Sequence, residues 1–174
     1  MIFTFEKANT VLQTHFGEFE FTCYSWGPHE EDNILCLSNL TNTDKPLVRI
    51  QSACYTAEIF RSLDCDCHEQ LEESIKRINL EGGILVYMLC DGRGAGLLNK
   101  VKGLELGRTK GLDTSDAYQQ LNLRQDPREY SKVLQILHDL RVKSIRLLTN
   151  NPRKIESIRA GGIEVIREPL EIEA

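Results

Sequence analysis

The sequence lacks the features that would place it in a membrane or on nucleic acid. No apolar run approaches the roughly 18 residues of a membrane span. The opening MIFTFEKANT carries an acidic residue and no long apolar core, so no secretory leader is expected. Basic residues are in deficit: 21 Lys and Arg against 26 Asp and Glu leave a net charge of −5. That sign argues against non-specific nucleic-acid binding, although local placement of arginine and lysine can still serve an anionic substrate. Internal repeats, low-complexity segments and linkers are absent. With 174 residues, 41% of them hydrophobic, the chain is expected to form one globular domain over residues 1–174.

What is present is cysteine. The six cysteines are not read as disulfides, because a core of this size needs no staples and no secretory feature accompanies them. A reduced, cytoplasmic protein is expected, with Cys23 and Cys36 as buried apolar residues in strands. Cys54, Cys65 and Cys67 stand apart, spaced C-x10-C-x-C within RIQSACYTAEIFRSLDCDCHEQ. Cys65 and Cys67 would diverge on a helix, but on a turn both can face one ion. The alternative is three unrelated buried thiols; a zinc site is the preferred reading. Three protein ligands leave a fourth position for water, as in catalytic rather than structural zinc. Three thiolates leave the site with a net charge of −1, which makes bound water less acidic but its hydroxide more nucleophilic. His68 is expected to be an exposed helix-start residue rather than a fourth ligand.

The first 60 residues read as β-rich. Alternation marks Phe3-Thr4-Phe5 and Phe19 to Cys23, and apolar runs mark Ile34–Leu37 and Leu47–Ile50, with turns at His15-Phe16-Gly17, Gly27-Pro28 and Thr41 to Asp44. From about residue 66 the period changes. Asp66 with Glu69 resembles a capping box, and Leu71, Ile75 and Ile78 share a helical face up to Gly82-Gly83. Ile84–Leu89 reads as a buried strand, with a helix from Leu97. Asp126 and Pro127 read as cap and first residue of another helix, whose stripe is Val133, Leu134, Leu137 and Leu140. Ser144–Leu148 is a strand, Asn151-Pro152 opens a helix that ends at Gly161-Gly162, and Ile163–Ile166 is the last strand. The class is therefore mixed α/β, a β-rich third followed by βα alternation.

Three loops carry groups suited to phosphate. Asp91-Gly92-Arg93-Gly94-Ala95-Gly96 lies between strand and helix, where glycines let backbone N–H groups approach an anion. It is equally a tight turn, but Arg93 favours the anion. It is G-x-G-x-G, so no dinucleotide fingerprint is present. Asp126-Pro127-Arg128 joins a carboxylate to a guanidinium, although capping and a solvated first turn explain both from spacing alone. Thr149-Asn150-Asn151-Pro152-Arg153-Lys154 offers a hydroxyl, two amides and two cations, or simple capping by Asn151. The zinc-deaminase pattern of P-C-x-x-C with an upstream H-x-E is missing.

Together these stretches resemble the GTP cyclohydrolase II family, which catalyses the first step of riboflavin synthesis. The matching segments are RIQSACYTAEIFRSLDCDCHEQL, DGRGAGLLNK, GLDTSDA, DPREY and RLLTNNPRKIESIRAGGIEV, from about residue 44 to 170. The resemblance implies one zinc ion per chain on Cys54, Cys65 and Cys67, and a homodimer. It implies nucleotide binding by Arg49 to Ala53 (including Gln51 and Ser52), Gln70, Asp91, Gly92, Arg93, Thr114, Thr149 and Lys154. Asp126 matches the proton acceptor and Arg128 the nucleophile toward the α-phosphate. A guanidinium with a pKa above ~12 is a poor nucleophile, so phosphate stabilisation is the role expected of Arg128. In the implied reaction, zinc-bound water attacks C8 of GTP and opens the imidazole ring. A second hydration releases formate, and pyrophosphate leaves with the help of Mg²⁺.

The sequence departs from the family at defined places. Gln51 and Ala53 stand where the family reads histidine and glutamate, Cys90 and Asp91 where it reads glutamine and glutamate, and Asp64 and His68 where it reads arginine and glycine. Leu104 falls where a tyrosine stands beside the purine. The expected activity is GTP ring opening with formate and pyrophosphate release. The rivals are a paralogue that stops at the formamidopyrimidine or opens another base, and a nucleotide-binding relative without catalysis.

Overall fold

The computed structural model describes residues 4–41 and 43–172. A hairpin opens the chain: β1 (Glu6–Thr14) pairs antiparallel with β2 (Gly17–Ser25) around His15-Phe16. β1 is exposed along almost its whole length, so neither face imposes an alternating pattern and no sequence signal marks it. Of the expected Phe3-Thr4-Phe5 alternation, Phe3 lies outside the described residues, as does Asn42 of the turn at residues 41–44. β3 (Asn33–Asn39) follows, with Ile34, Cys36 and Ser38 buried at a spacing of two. The remaining strands are β4 (Leu47–Ser52), β5 (Gly83–Met88), β6 (Ser144–Leu148) and β7 (Glu164–Glu168). The helices are α1 (Tyr55–Glu58), α2 (Cys67–Glu81), α3 (Leu97–Lys110), α4 (Thr114–Gln120), α5 (Ser131–Asp139) and α6 (Pro152–Ala160). The class is mixed α/β, as the sequence implied. No helix among the described residues is long and apolar enough to cross a membrane.

The seven strands of the described residues join one sheet in the order β1-β2-β3-β5-β4-β6-β7. Pairing is antiparallel from β1 through β5 and parallel from β5 through β7. α2 covers one face, packing Ile78 with Leu47, Leu85 and Phe19. On the other face Val133, Ile136 and Leu137 of α5 and Ile158 of α6 pack on Val48, Ile50, Ile84, Val86, Ile145 and Leu147. Each such aliphatic side chain contributes about 1.5–3 kcal/mol by leaving water, and β4 and β5, covered on both faces, are the centre of the core.

That centre also sets where a site can form. From β4 the chain passes to β5 on one side and later to β6 on the other. Such a switch leaves a crevice beyond the carboxyl ends of the parallel strands. Ser52, Met88 and Leu148 end those three strands, and the cysteine segment, the glycine loop and the Thr149 turn follow them.

Several local expectations are corrected. α5 begins at Ser131, with Tyr130 as its N-cap, not at Asp126-Pro127. The Asp126 carboxylate instead accepts the Arg128 backbone N–H at 3.3 Å and its guanidinium, which holds this segment out of the helix. The Asp66–Glu69 capping box does not form: Asp66 has φ −95° and ψ 20°, not the extended N-cap conformation, and makes no side-chain cap bond. α4, capped by Asp113 on the Asp116 N–H, lacked a long apolar period and was not expected. β5 ends at Met88 and β7 begins at Glu164. Cys36 is buried in β3 as expected, whereas Cys23, near the outer edge of the sheet, is half-buried.

Candidate active site

The three cysteines converge beyond β4. The Ala53 N–H donates to the Met88 carbonyl at 2.9 Å, which extends the sheet by one residue and delivers Cys54 to the crevice. Cys67 is the first residue of α2, and the irregular turn before it brings Cys65 alongside. The three sulfurs all lie within 4.8 Å of one another, and Cys54 and Cys65 are 3.6 Å apart. A tetrahedral zinc with Zn–S bonds of about 2.3 Å sets its sulfurs about 3.8 Å apart, so the trio fits such an ion. Among the described residues it is the one cluster of three or more Cys, His, Asp or Glu side chains able to hold a metal. His68 is outside it. Its ring lies between the Arg61 guanidinium and Glu72, half-buried rather than exposed as expected.

The thiols are not equivalent. Burial alone would raise Cys54, but hydrogen bonds from Lys100, from the Ala57 backbone and from Thr56 outweigh it and hold the thiol below its usual range. Burial raises both Cys65 and Cys67, and the neighbouring thiols add to this at Cys67. The Lys100 ammonium donates to Cys54 Sγ at 3.1 Å and pairs with Asp91 Oδ1 at 2.9 Å.

Arg49 and Gln51 are polar residues in an otherwise apolar, buried strand, where an unpaired polar group costs about 1–3 kcal/mol. They satisfy one another. Arg49 donates Nε and Nη2 to Gln51 Oε1 at 2.9 and 2.7 Å, Nη2 to Gln70 Oε1 at 2.7 Å, and Nη1 to the Leu148 carbonyl at 3.2 Å. Gln51 Nε2 donates to Glu58 Oε1 at 3.2 Å and the Cys67 carbonyl at 3.3 Å. Glu58 also accepts the Cys54 N–H at 3.3 Å and the Tyr87 hydroxyl. One buried network thus ties β4 and α2 to two of the three cysteines.

The glycine loop is built differently from an N–H cradle. Gly92, Arg93 and Gly94 have φ of 63°, 56° and 85°, a left-handed run. Its amides bond inward: Gly92 N–H to the Asp91 carboxylate, Gly94 and Gly96 N–H to the Asp91 carbonyl, and Ala95 N–H to the Gly92 carbonyl. The loop is thus a tight turn, and the group it offers outward is the exposed Arg93 side chain. A Cβ at Gly92 would come within 3.0 Å of the Tyr118 hydroxyl and 3.1 Å of Lys100 Cβ. Asp91 is buried and fully engaged, accepting also the Tyr55 N–H at 2.8 Å.

Cations gather on the far side. Arg128 forms a two-point pair with Asp126, both distances 2.7 Å, and donates Nη1 to Ser52 Oγ at 3.1 Å. Arg153 reaches the same carboxylate at 3.1 Å. Burial would raise Asp126, but the Arg128 hydrogen bonds and charge prevail and hold it below the usual carboxylate range. Lys154 is buried and donates to the Ile50 carbonyl at 2.8 Å. Burial, then the charges of Arg49 and Arg128, push its pKa down to about 7. Thr149 is buried, and its hydroxyl accepts the Asn151 N–H at 3.0 Å. A region with Arg49, Arg128, Arg153 and Lys154 against Asp126 has an excess of positive charge suited to an anion.

A cavity of about 930 Å³ opens between these groups. Of the residues singled out in the sequence, the three cysteines, Ser52, Ala53, Asp64, Asp91, Gly92, Arg93, Thr114 and Arg128 line it. Arg49, Gln51, Gln70, Asp126, Thr149 and Lys154 do not; Asp126 reaches it through Arg128, and Gln51 through the Cys67 carbonyl. Leu104 lines it too, beside Glu105 and Arg108. Sequence reasoning missed Lys100 and Glu58, whose only signals were proximity to the glycine loop and to Cys54.

Comparison with known proteins matches the chain to a family. The family model of GTP cyclohydrolase II matches residues 6–169. The GTP cyclohydrolase-2 of Campylobacter fetus is 44% identical over 169 residues, covering 97% of this chain and 86% of that protein. The GTP cyclohydrolase-2 of Archaeoglobus fulgidus is 50% identical over 129 residues, which are 73% of this chain and 34% of that protein. The riboflavin biosynthesis protein RibBA of Chlorobium phaeovibrioides is 41% identical over 165 residues, and the chain spans 40% of its length. A match that runs through β1 to β7, at these identities, places the chain in the GTP cyclohydrolase II family.

Proposed function

We propose that this chain, as one domain over residues 1–174, is a zinc-dependent cyclohydrolase that opens the imidazole ring of GTP and releases formate and pyrophosphate. The observation that carries the reading is the convergence of Cys54, Cys65 and Cys67 within 4.8 Å on the wall of a nucleotide-sized cavity. When bound there, zinc supplies a Lewis acid that activates water for attack at C8. The chain's own residues orient and hold. Gln70, behind the cavity wall, accepts from Arg49 with its carbonyl end and so holds the guanidinium in place for the nucleotide. Arg128, Arg93 and Thr114 face the cavity for the phosphates, with Lys154 and Thr149 behind. Asp126 is held ionised by Arg128, so it becomes a proton acceptor when a phosphate draws the guanidinium away. Mg²⁺ arrives with the phosphates. A homodimer in the cytoplasm belongs to the same proposal.

Lys154 supports a direct test of phosphate binding. At pH 8 a group with a pKa of about 7 is mostly neutral, and a nearby polyphosphate raises that pKa, so binding takes up a proton. Calorimetry of pyrophosphate binding at pH 8 is expected to show buffer-dependent heats that Lys154→Met removes. Identical heats in all buffers for the unmodified protein would refute the assignment.

A second reading concerns the end point. Leu104, 37% exposed, lines the cavity where the family resemblance places a tyrosine. Without that hydroxyl the second hydration is weakened and the reaction stops at the formamidopyrimidine. Mass spectrometry of the GTP product decides: stoichiometric formate sinks the early stop, whereas a retained formyl group with no formate sinks the full reaction. In the latter case Leu104→Tyr is expected to restore formate release.

A further inference from the structure

Lys100 takes no part in the reaction proposed above, yet its placement is demanding. It sits on the first turn of α3, its side chain only 15% exposed, with its ammonium 3.1 Å from Cys54 Sγ and 2.9 Å from Asp91 Oδ1. A lysine with no task there would extend its ammonium into water, where it is most strongly hydrated. We propose that Lys100 is a positioning residue of the three-thiolate centre, compensating its charge and fixing Cys54 through Asp91; this rests on the metal reading above.

The charge argument comes first. Three thiolates and a dication leave −1 in a partly dry site, and an ammonium in contact with one sulfur neutralises it. A cation beside a dication would otherwise be repelled, so its position suits only a centre whose ligands outweigh the ion. An N–H donor on a ligand sulfur also draws electron density from it, as outer hydrogen bonds generally tune metal ligands.

The geometric argument is independent. One Asp91 oxygen accepts the Tyr55 N–H at 2.8 Å; the other accepts Lys100 and the Gly92 N–H. Lys100, Asp91, Tyr55 and Cys54 thus form a closed ring of contacts that fixes the sulfur relative to the glycine loop. Lys100 is itself fixed by its N–H on the Gly96 carbonyl at 3.0 Å. The 3.1 Å between Lys100 Cβ and a Cβ built on Gly92 gives that glycine a second task beyond its positive φ, which is to leave room for this lysine.

The test uses the full chain loaded with zinc, and with Co²⁺ as a spectroscopic probe. Lys100→Met is expected to weaken zinc about 10- to 100-fold in competition with a chromophoric chelator, the range seen when outer-sphere partners of metal ligands are removed. Its Co²⁺ form is expected to show the sulfur-to-metal charge-transfer band at lower energy, because the sulfur has lost its hydrogen bond. Lys100→Arg keeps a cationic donor and is expected to retain both values. If Lys100→Met does not fold, Lys100→Gln provides the neutral side chain for the same two readouts. Unchanged affinity, or weaker affinity with an unmoved band, overturns the proposal while leaving the metal reading standing. A chain that binds neither Zn²⁺ nor Co²⁺ overturns both.

Discussion

Replacing Cys65 by serine is expected to abolish the zinc binding proposed for the cysteine cluster and lower turnover by at least about a thousandfold, equivalent to about 4 kcal/mol of transition-state stabilisation. Cys65 is the informative cysteine to replace because it is exposed, whereas Cys54 is buried and tied to Lys100, Thr56 and Glu58. Its loss leaves the network of Arg49, Gln51 and Glu58 in place, so the fold is expected to persist with an unchanged circular-dichroism spectrum. Two thiolates remain, and a two-ligand site holds zinc far more weakly than a three-ligand one. The measurement is metal content per chain after dialysis against a mild chelator, together with formate release. A Cys65→Ser protein that keeps one zinc and its activity would remove the cluster from the chemistry.

Why the cysteines were legible and their supports were not follows from how each acts. A thiol cluster is rare in a reduced protein, so three cysteines within 14 residues carry information before any fold is known. Strands buried on both faces were equally plain: Leu47–Ile50 and Ile84–Met88 are apolar or tightly paired because α2 covers one side and α5 and α6 the other. β1 was hidden because an exposed edge strand imposes no period. The Asp126 segment misled for a different reason. Asp-Pro is a genuine helix-start signal, but a local competitor, the Arg128 guanidinium two residues on, takes the carboxylate and is itself anchored by the distant Ser52. In the glycine loop, spacing reports backbone freedom, and it does not reveal that the Gly92, Gly94, Ala95 and Gly96 amides bond within the turn. Lys100 reaches the Cys54 sulfur from 46 residues away, a contact that pair spacing cannot reveal, whereas Glu58 is only four residues beyond Cys54 and lacks a motif of its own.

Arg128→Ala is expected to reduce kcat by about 10²- to 10³-fold, the usual cost of removing one charged donor from a site where negative charge develops. The guanidinium is at the junction of the site: it lines the cavity, bridges Asp126 and Ser52, and its side chain is only 13% exposed. In the absence of an anion its fork is occupied by Asp126, and a phosphate offers the same two-point partner with more charge. Lys keeps the charge but not the fork, so Arg128→Lys is expected to fall between the two. The stability effect is smaller, about 1–3 kcal/mol, because Arg153 still holds the Asp126 carboxylate at 3.1 Å. Its pH dependence has a definite sign. Arg128 depresses the Asp126 carboxyl in the folded state, so this stabilisation is present above the unfolded carboxyl pKa of about 4 and fades as pH falls through the folded value. Urea unfolding should therefore separate the two proteins at pH 7 and bring them together in acid. A variant that keeps kcat within threefold of the unmodified enzyme, with GTP saturating, would take Arg128 out of the reaction and leave it a clamp on Asp126.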